Sequence, residues 1–188
     1  MTRAVLSLGS NLGDRSGQLR AATAGLGDEL LLVSGVYESQ PWPPGEPGPA
    51  YLNAVALVAG ADPDPYHWLF RCRELEAAAG RQRDPGHRYA PRTLDLDVIM
   101  VWDPADRPVH STDPELTLPH PRAHLRAFVL RPWIDLQPYA VLPGHGPLTD
   151  LLRSEPVASQ LAGLRPRPDL PIDPDLPIDP DLPIESGR

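Results

Sequence analysis

The sequence contains no lysine, and all 17 of its basic residues are arginines. A phosphate-binding loop of the GxxxxGKS/T kind and Schiff-base chemistry both require a lysine, so both are excluded. Cysteine occurs only as Cys72, which can form neither an internal disulfide nor a cysteine-based zinc site. The lack of an internal disulfide is typical of proteins in a reducing compartment. We therefore expect a cytoplasmic protein in which Cys72 is a buried thiol.

Long apolar runs are also missing. No stretch approaches the roughly 18 apolar residues that a membrane span requires, and the first residues lack the charged-then-apolar pattern of a signal peptide. The formal net charge of -8 argues against a partner that is nucleic acid. We therefore expect no membrane segment, no signal peptide and no nucleic acid.

Much of the negative charge lies in a tail that repeats the hexapeptide DLPIDP. The repeat begins at Asp169 and again at Asp175, and it starts a third time at Asp181 as DLPIE. Proline at this density favours extended backbone, and three short copies cannot bury a core. We therefore expect a folded domain over 1–165 and a disordered tail over 166–188.

Hydrophobic periodicity predicts alternating strands and helices over the first hundred residues. Strands are expected over 3–9, 31–39, 51–59 and 93–102, and helices over 15–26 and 63–79, with a later helical stretch over 122–136 that is interrupted near Pro132. The order β-α-β-β-α-β is typical of a ferredoxin-like α+β fold, with two helices on one face of a largely antiparallel sheet.

Two carboxylates stand at alternate positions of the fourth predicted strand. Because side chains alternate along a strand, Leu94 and Leu96 are expected to face the core while Asp95 and Asp97 share the other face, about 7 Å apart. Two oxygen donors of this kind suit Mg²⁺ completed by water and substrate phosphates. The alternative is the solvated face of an amphipathic strand.

The loop before this strand is rich in arginine, with Arg81, Arg83, Arg88 and Arg92. Arginine binds phosphate in a bidentate manner and offsets the charge that develops on a transferred phosphoryl group. Carboxylates for a metal and guanidinium groups for phosphate together predict a phosphoryl-transfer site that needs no lysine. The alternative is an ordinary solvated loop.

Two other titratable residues have an open interpretation. Glu76 falls on or beside the apolar stripe of the second predicted helix, where it has either a functional role or a salt bridge to Arg73. His120 has metal-like spacing to His124, but Pro121 places His120 outside the following helix. A phosphate contact or a turn histidine is therefore favoured over a zinc pair.

Aromatic and amide side chains in loops and at strand ends form a second candidate group. Its members are Trp42, Tyr51, Asn53, Tyr89 and Phe128. A pocket for a flat heterocycle needs stacking faces and an amide that both donates and accepts, which Asn53 provides. The alternative for the aromatic residues is ordinary core packing.

Five segments of the sequence carry a family resemblance: Leu8-Gly9-Ser10-Asn11-Leu12-Gly13, Tyr51-Leu52-Asn53-Ala54, Gly80-Arg81, Pro91-Arg92-Thr93-Leu94-Asp95-Leu96-Asp97 and Leu118-Pro119-His120-Pro121. Their order and spacing resemble those of the 6-hydroxymethyl-7,8-dihydropterin pyrophosphokinase family of folate biosynthesis, from about Arg3 to Gly146. The resemblance implies a ferredoxin-like α+β fold with extra strands and C-terminal helices. It also implies Mg²⁺-dependent transfer of pyrophosphate from ATP, the co-substrate, to the pterin hydroxymethyl group, which releases AMP.

The resemblance further implies roles for individual residues. Asp95 and Asp97 are the expected ligands of two Mg²⁺ ions, and Arg81 and Arg92 are the expected catalytic arginines. The implied ATP contacts are Arg73, Glu76, Arg83, Arg88, Thr117, His120 and Arg126. The implied pterin contacts are Ser39, Trp42, Tyr51, Asn53, Tyr89 and Phe128.

Three positions depart from the family pattern. Arg73 stands where a neutral amide is often seen, Glu115 is acidic where a basic ATP contact can occur, and Tyr89 replaces a frequent tryptophan. Weaker ATP binding is expected from Glu115 and weaker stacking from Tyr89.

Two other classes of protein share some of these features. A sugar-nucleotide glycosyltransferase also holds a metal with a DxD motif, but such chains are usually longer and built on a parallel sheet. A non-catalytic ferredoxin-like binding module would tolerate neutral residues at Asp95, Asp97 and Arg92, all of which are charged here. The tail has two open roles as well: it recruits another folate-pathway enzyme, or it has no partner.

Overall fold

The structure, a computed structural model, describes residues 1–80 and 93–175. The principal strands are β1 (Thr2–Ser10), β2 (Leu30–Val33), β3 (Tyr37–Ser39), β4 (Tyr51–Gly60) and β5 (Asp95–Trp102). Short strands follow as β6 (Ser111–Thr112), β7 (Thr117–Leu118), β8 (Val141–Leu142), β9 (Gly146–Pro147) and β10 (Arg165–Pro166). The α-helices are α1 (Arg15–Leu26), α2 (Tyr66–Ala78), α3 (Ala127–Leu136), α4 (Leu148–Arg153) and α5 (Val157–Leu161).

The main sheet has the order β10-β3-β4-β1-β5, with β2 also paired to β4, and every pairing is antiparallel. Helix α1 connects β1 to β2, and β4 lies between β1 and the β2–β3 segment in the sheet. Helix α2 connects β4 to β5, and β1 lies between those two strands. These are two interleaved split βαβ units. The predicted ferredoxin-like α+β fold, with extra strands and C-terminal helices, is confirmed.

The two faces of the sheet are buried by different helices. On one face, α1 and α2 contribute Leu19 and Trp68 to a core that includes Leu6 and Leu8 of β1. Cys72 belongs to this core at 2% exposure, as expected, and burial raises the pKa of its thiol. On the other face, α3, α4 and α5 form a second core around Val5 and Val55, since alternate side chains of each strand point there.

Two predicted elements differ from those in the structure. The second strand is divided into β2 and β3, because the segment around Ser34 leaves the regular ladder and Ser34 Oγ accepts the Val55 N–H at 2.9 Å. The predicted interruption near Pro132 is wrong, since α3 continues through this residue. Pro132 costs one backbone hydrogen bond, but Val129 and Trp133 around it are fully buried, which holds the helix together.

The start of the predicted disordered tail is packed against the domain. The strand β10 pairs with β3, and Leu170 and Ile172 are only 5% and 2% exposed in the first core. The Thr23 hydroxyl donates a 2.6 Å hydrogen bond to the Ile172 carbonyl. The expectation of disorder therefore does not hold for these residues, because the first repeat copy packs into the first core, a tertiary contact that sequence periodicity does not reveal. Residues 176–188 lie outside the described part, and the tail's recruitment of another enzyme stays a prediction.

Among the described residues, every helix is either too short or too polar to cross a bilayer.

Candidate active site

The acidic pair lies on the exposed side of β5. Leu94, Leu96 and Val98 are at most 7% exposed and belong to the first core, so Asp95 and Asp97 point to the opposite face. Both carboxylates line a cavity there of about 130 Å³. The predicted alternation along this strand is confirmed.

This cavity brings together most of the described residues that were expected to bind substrate or metal. They are Ser39, Trp42, Tyr51, Asn53, Asp95, Asp97, Arg126 and Phe128. Sequence reasoning missed four other lining residues: Ser7, Gly9, Gln40 and Arg122. The sheet supplies the floor of the cavity, and the segment before α3 supplies one wall.

The position of Gly9 follows from the register of the central strand. Gly9 of β1 pairs with Asn53 of β4 on one side and with Asp95 of β5 on the other. Its missing side chain leaves the floor open between the amide and the carboxylate. The sequence contained a signal for this open floor. Ser7 and Gly9 lie on the same face of β1 as the apolar Val5, and such small residues leave space above the strand.

The side-chain amide of Asn53 has one orientation, and the residue is only 3% exposed. Its Nδ2 donates to the Tyr37 carbonyl at 3.2 Å and lies 3.0 Å from the Ser39 hydroxyl. A carbonyl oxygen only accepts, so the amide nitrogen must face it, and this contact fixes the orientation of the amide. The Oδ1 atom lies over Gly9 and is thereby presented to the cavity as a hydrogen-bond acceptor.

An arginine joins the acidic and aromatic parts of the cavity. Arg126 Nη1 donates to Asp97 Oδ2 at 2.7 Å, and its side chain is 11% exposed. Its guanidinium carbon lies over the Trp42 ring at 5.1 Å from the centroid and over the Phe128 ring at 5.6 Å. Arg122 also lies over Trp42, at 5.8 Å. Both contacts are of the cation–π kind.

His120 lies beside the same carboxylate, with Nε2 at 3.8 Å from Asp97 Oδ2. Its Nδ1 accepts the Arg122 N–H at 3.2 Å, which places the proton of the neutral ring on Nε2. Burial lowers the pKa of His120 to about 4, with smaller contributions from Arg126 and Arg122 and an opposing one from Asp97. His120 is therefore neutral near pH 7. The ring of His124 instead stacks on His145, with centroids 3.9 Å apart.

The sequence left the role of Glu76 undecided, and the structure shows a contact with the backbone of β5. It is 4% exposed, and its Oε1 accepts the Leu96 N–H at 2.9 Å. Because β5 lies at an edge of the main sheet, α2 provides an acceptor for a strand N–H that faces away from β1.

The other predicted ATP contacts outside the cavity have partners of their own. The alternative of a Glu76–Arg73 salt bridge is wrong, since Arg73 pairs with Glu115 at 3.1 Å. Two of the three residues that depart from the family pattern, Arg73 and Glu115, thus offset each other's charge. Thr117 donates its hydroxyl to the Asp113 carbonyl at 2.9 Å. Arg81, Arg83, Arg88, Tyr89 and Arg92 lie outside the described residues, so their predicted roles stay predictions.

The donor set of the cavity fits Mg²⁺. Two carboxylates share one face of a strand and open to a polar cavity, and Mg²⁺ characteristically uses one or two protein carboxylates together with waters and substrate phosphates. Among the described residues, no group of three or more histidine, cysteine or acidic side chains forms a complete metal cage.

These features define a ferredoxin-like α+β protein with a small-molecule site on the sheet face that α3 partly covers. Comparison with known proteins specifies the family. Residues 5–138 match the family described as 7,8-dihydro-6-hydroxymethylpterin-pyrophosphokinase (HPPK), and the chain belongs to this family. It is therefore a diphosphate-transferring enzyme that uses ATP and works in folate biosynthesis, as the motifs predicted. The glycosyltransferase and binding-module alternatives are wrong.

Curated relatives agree with this assignment. A 2-amino-4-hydroxy-6-hydroxymethyldihydropteridine pyrophosphokinase of Mycobacterium tuberculosis is 48% identical over 159 residues, which are 81% of this chain and 83% of the relative. The protein of the same description from Mycobacterium leprae is 44% identical over 172 residues, 88% of each chain.

Solved structures show the same fold. A crystal structure of HPPK-DHPS in complex with substrates superposes with a TM-score of 0.63 at 10% identity, over 88% of this chain and 46% of that one. Wild-type HPPK-DHPS of Plasmodium falciparum gives a TM-score of 0.59 at 12% identity, over 81% of this chain and 40% of that one. This chain thus spans less than half of those longer proteins, and at such identities the likeness concerns the fold alone.

Proposed function

We propose that this enzyme transfers pyrophosphate from ATP to 6-hydroxymethyl-7,8-dihydropterin in a Mg²⁺-dependent reaction, giving AMP and the pterin diphosphate. The observation that carries the proposal is the shared cavity on one sheet face. There, Asp95 and Asp97 lie beside an oriented amide, Asn53, and two aromatic side chains, Trp42 and Phe128.

The pterin would bind over Gly9. The Oδ1 of Asn53 accepts from an N–H donor at the ring edge, and this contact selects heterocycles that carry such donors. Tyr51, Trp42 and Phe128 offer aromatic surface for stacking. In this pose the hydroxymethyl group would face Asp95 and Asp97, which line the same cavity.

Asp95 and Asp97 would hold Mg²⁺, which when bound offsets the charge of the triphosphate and orients it. The substrate hydroxyl oxygen attacks the β-phosphorus in line, the bond from that phosphorus to the α,β-bridging oxygen breaks, and AMP leaves. The hydroxyl proton passes to solvent. Positioning and charge compensation supply most of the acceleration, so no strong general base is required.

Product analysis tests this proposal. The chain is incubated with ATP, Mg²⁺ and 6-hydroxymethyl-7,8-dihydropterin, and the nucleotides are separated by chromatography. We expect AMP that depends on both the pterin and Mg²⁺, in amounts equal to the pterin diphosphate. Formation of ADP, or of AMP without the pterin, would contradict the proposal.

The variant Asp97→Asn tests the acidic site separately. We expect turnover to fall by orders of magnitude, about 10²–10³-fold or more, because a charge that faces the transferred group is lost. The matched control is Asp150→Asn, an exposed aspartate of α4, which should leave turnover unchanged. Near-normal turnover of Asp97→Asn, with the fold intact by circular dichroism, would overturn the assignment of this carboxylate.

A further inference from the structure

The first copy of the tail repeat DLPIDP is held by contacts of its side chains and of its backbone. Leu170 and Ile172 are 5% and 2% exposed and belong to the first core. The Ile172 carbonyl accepts the Thr23 hydroxyl at 2.6 Å, and the Pro171 carbonyl accepts Arg20 Nε at 3.4 Å. We call Arg20 and Thr23 of α1, together with the adjacent first core, the docking site of the tail.

The docking site contacts features that every copy of the repeat has. It takes up a leucine, the carbonyl of the next proline, and the isoleucine that follows. The second copy carries the same three residues as Leu176, Pro177 and Ile178, and the third copy carries them at 182–184. Proline favours extended backbone wherever the repeat occurs. The contacts therefore select a short sequence rather than one position of the chain.

One contact distinguishes the first copy from the others. Arg167 Nη2 lies 2.8 Å from Asp169 Oδ2, whereas the residue two positions before the second copy is Asp173. The Asp169 side chain is 44% exposed, and an exposed ion pair of this kind changes an equilibrium by only about 1.4- to 5-fold. The first copy is therefore favoured, but not strongly, by this arginine.

The chain is long enough for a later copy to reach the docking site. Exchange of the first copy for the second adds six residues to the connection with β10, from Asp169 to Asp175. Loop-closure entropy grows slowly with length, so roughly tripling this short connection lowers the docked population about fivefold. With the lost ion pair included, the second copy is less favoured than the first by on the order of tenfold.

We propose that the docking site is a binding site for the sequence Asp-Leu-Pro-Ile, and that the second and third copies of the repeat replace the first copy there by exchange within one chain. The site holds one copy at a time, so two copies of each chain remain outside it. The inference concerns the tail and does not depend on the proposed reaction.

The expected occupancy follows from the burial of the two apolar side chains. After the entropy of ordering the segment is subtracted, this burial favours the docked first copy over the open segment by on the order of 10- to 100-fold. A second copy that is disfavoured about tenfold is still docked over open by about 1- to 10-fold. Once the first copy is removed, the later copies should therefore fill the site for about half of the time or more.

The isoleucines of the chain make this exchange observable. The first-copy variant, Leu170→Ser with Ile172→Ser, leaves only Ile99, Ile134, Ile178 and Ile184 in the chain. Ile99 and Ile134 lie in or against the second core, on the other face of the sheet. An isoleucine that contacts Thr23 in this variant must therefore come from the second or the third copy.

Methyl NMR of full-length protein provides the test. In the first-copy variant we expect a nuclear Overhauser effect between the Thr23 methyl group and an isoleucine methyl group, at about half of its intensity in the unaltered protein or more. The matched control is the all-copies variant, which also carries Leu176→Ser, Ile178→Ser, Leu182→Ser and Ile184→Ser, and it should lack the effect. If the first-copy variant lacks it as well, the later copies do not enter the site and the inference is wrong.

Isotope mixing identifies the chain that supplies the isoleucine. Labelled first-copy variant is mixed with an equal amount of the same variant unlabelled. Exchange within one chain keeps the full intensity of the effect for each labelled molecule. A fall to half would mean that a second chain fills the site, and would overturn exchange within one chain.

A free peptide tests recognition apart from the tether, and it decides between the readings if the NMR signals overlap. The probe is fluorescein-labelled Asp-Leu-Pro-Ile-Asp-Pro, and the control peptide has serine in place of leucine and isoleucine. A short tether gives an effective concentration on the order of 1 mM, so the docked-to-open ratio above corresponds to a dissociation constant on the order of 10–100 µM for the first-copy variant freed of competition in the all-copies variant.

The unaltered protein should bind this peptide at least about 10-fold more weakly than the all-copies variant, because its own copies compete for the site. Absence of binding to the all-copies variant at 1 mM peptide, or equal binding of the serine peptide, would overturn the inference. Should the all-copies variant not fold, the first-copy variant decides. It should bind the peptide more tightly than the unaltered protein does, and equal affinity would refute the docking site.

Discussion

Replacing Gly9 with valine should weaken pterin binding without harming the fold. The backbone of Gly9 is ordinary β-strand, so any residue can adopt it. A Cβ at this position would lie 3.7 Å from a Tyr51 ring carbon, 3.8 Å from Asn53 Oδ1 and 3.9 Å from the Asp95 carbonyl oxygen. These are normal van der Waals distances, so the Cβ itself requires no neighbouring atom to move.

The expected size of each effect follows from those contacts. Glycine inside a strand is less stable than alanine by about 0.5–1 kcal/mol, so substitution should leave the free energy of unfolding equal or slightly higher. The added methyl groups cover Asn53 Oδ1, the acceptor for the substrate edge. Leaving a buried polar group without its partner costs about 1–3 kcal/mol, which is roughly a 5- to 150-fold loss of affinity.

Two measurements on the same samples separate these effects: urea unfolding gives the stability, and fluorescence titration with 6-hydroxymethylpterin gives the affinity. Gly35→Val is the matched control, because a Cβ at Gly35 meets no atom within 4 Å and the residue lies away from the cavity. It should leave pterin affinity unchanged. If Gly9→Val bound the pterin as tightly as the unaltered protein, the ring would not lie over Gly9 and the proposed pterin site would be wrong.

Three further predictions concern stability. Glu76→Leu removes the buried acceptor of the Leu96 N–H and should lower the free energy of unfolding in urea by about 1–3 kcal/mol. Glu76→Gln keeps an acceptor and should lower it less. Equal losses for the two variants would contradict this role of Glu76. Truncation after position 168 removes the buried Leu170 and Ile172 and should lower the free energy of unfolding by about 1–3 kcal/mol after the regained chain entropy is included. Truncation after position 175 keeps both residues and should lower it less. No difference between the two truncations would refute the packing. The pKa of His120 is lowered to about 4 in the folded protein, against about 6.5 in the unfolded chain. Between these two pH values only the unfolded chain binds the extra proton, so the free energy of unfolding should fall by on the order of 3 kcal/mol as the pH is lowered through this window. His120→Gln should reduce that pH dependence, and an unchanged profile would show that His120 does not cause it.

The sequence was sufficient for features that depend on local pattern. Alternation along β5 separated Leu94 and Leu96 from Asp95 and Asp97, because the side-chain period of a strand is two whatever surrounds it. The order of strands and helices predicted the fold, and the motifs predicted the family.

Pattern alone failed where a distant neighbour decides the outcome. Pro132 was expected to interrupt its helix, yet the buried side chains on either side of it keep α3 continuous. Leu170 and Ile172 were expected to be disordered, but they pack into the first core, and Thr23 of α1 donates a hydrogen bond to the Ile172 carbonyl. A proline-rich repeat does not predict these contacts by itself.

The tertiary structure alone decided which residues share the site and what each one contacts. Strand register places Gly9 between Asn53 and Asp95, and packing brings Arg126 onto a carboxylate 29 positions earlier in the chain. Such contacts depend on distances between separate elements, which local propensity does not encode. For that reason the sequence determined which functional groups this protein carries. The fold determined that Arg126 contacts both the carboxylate of Asp97 and the rings of Trp42 and Phe128 in the cavity.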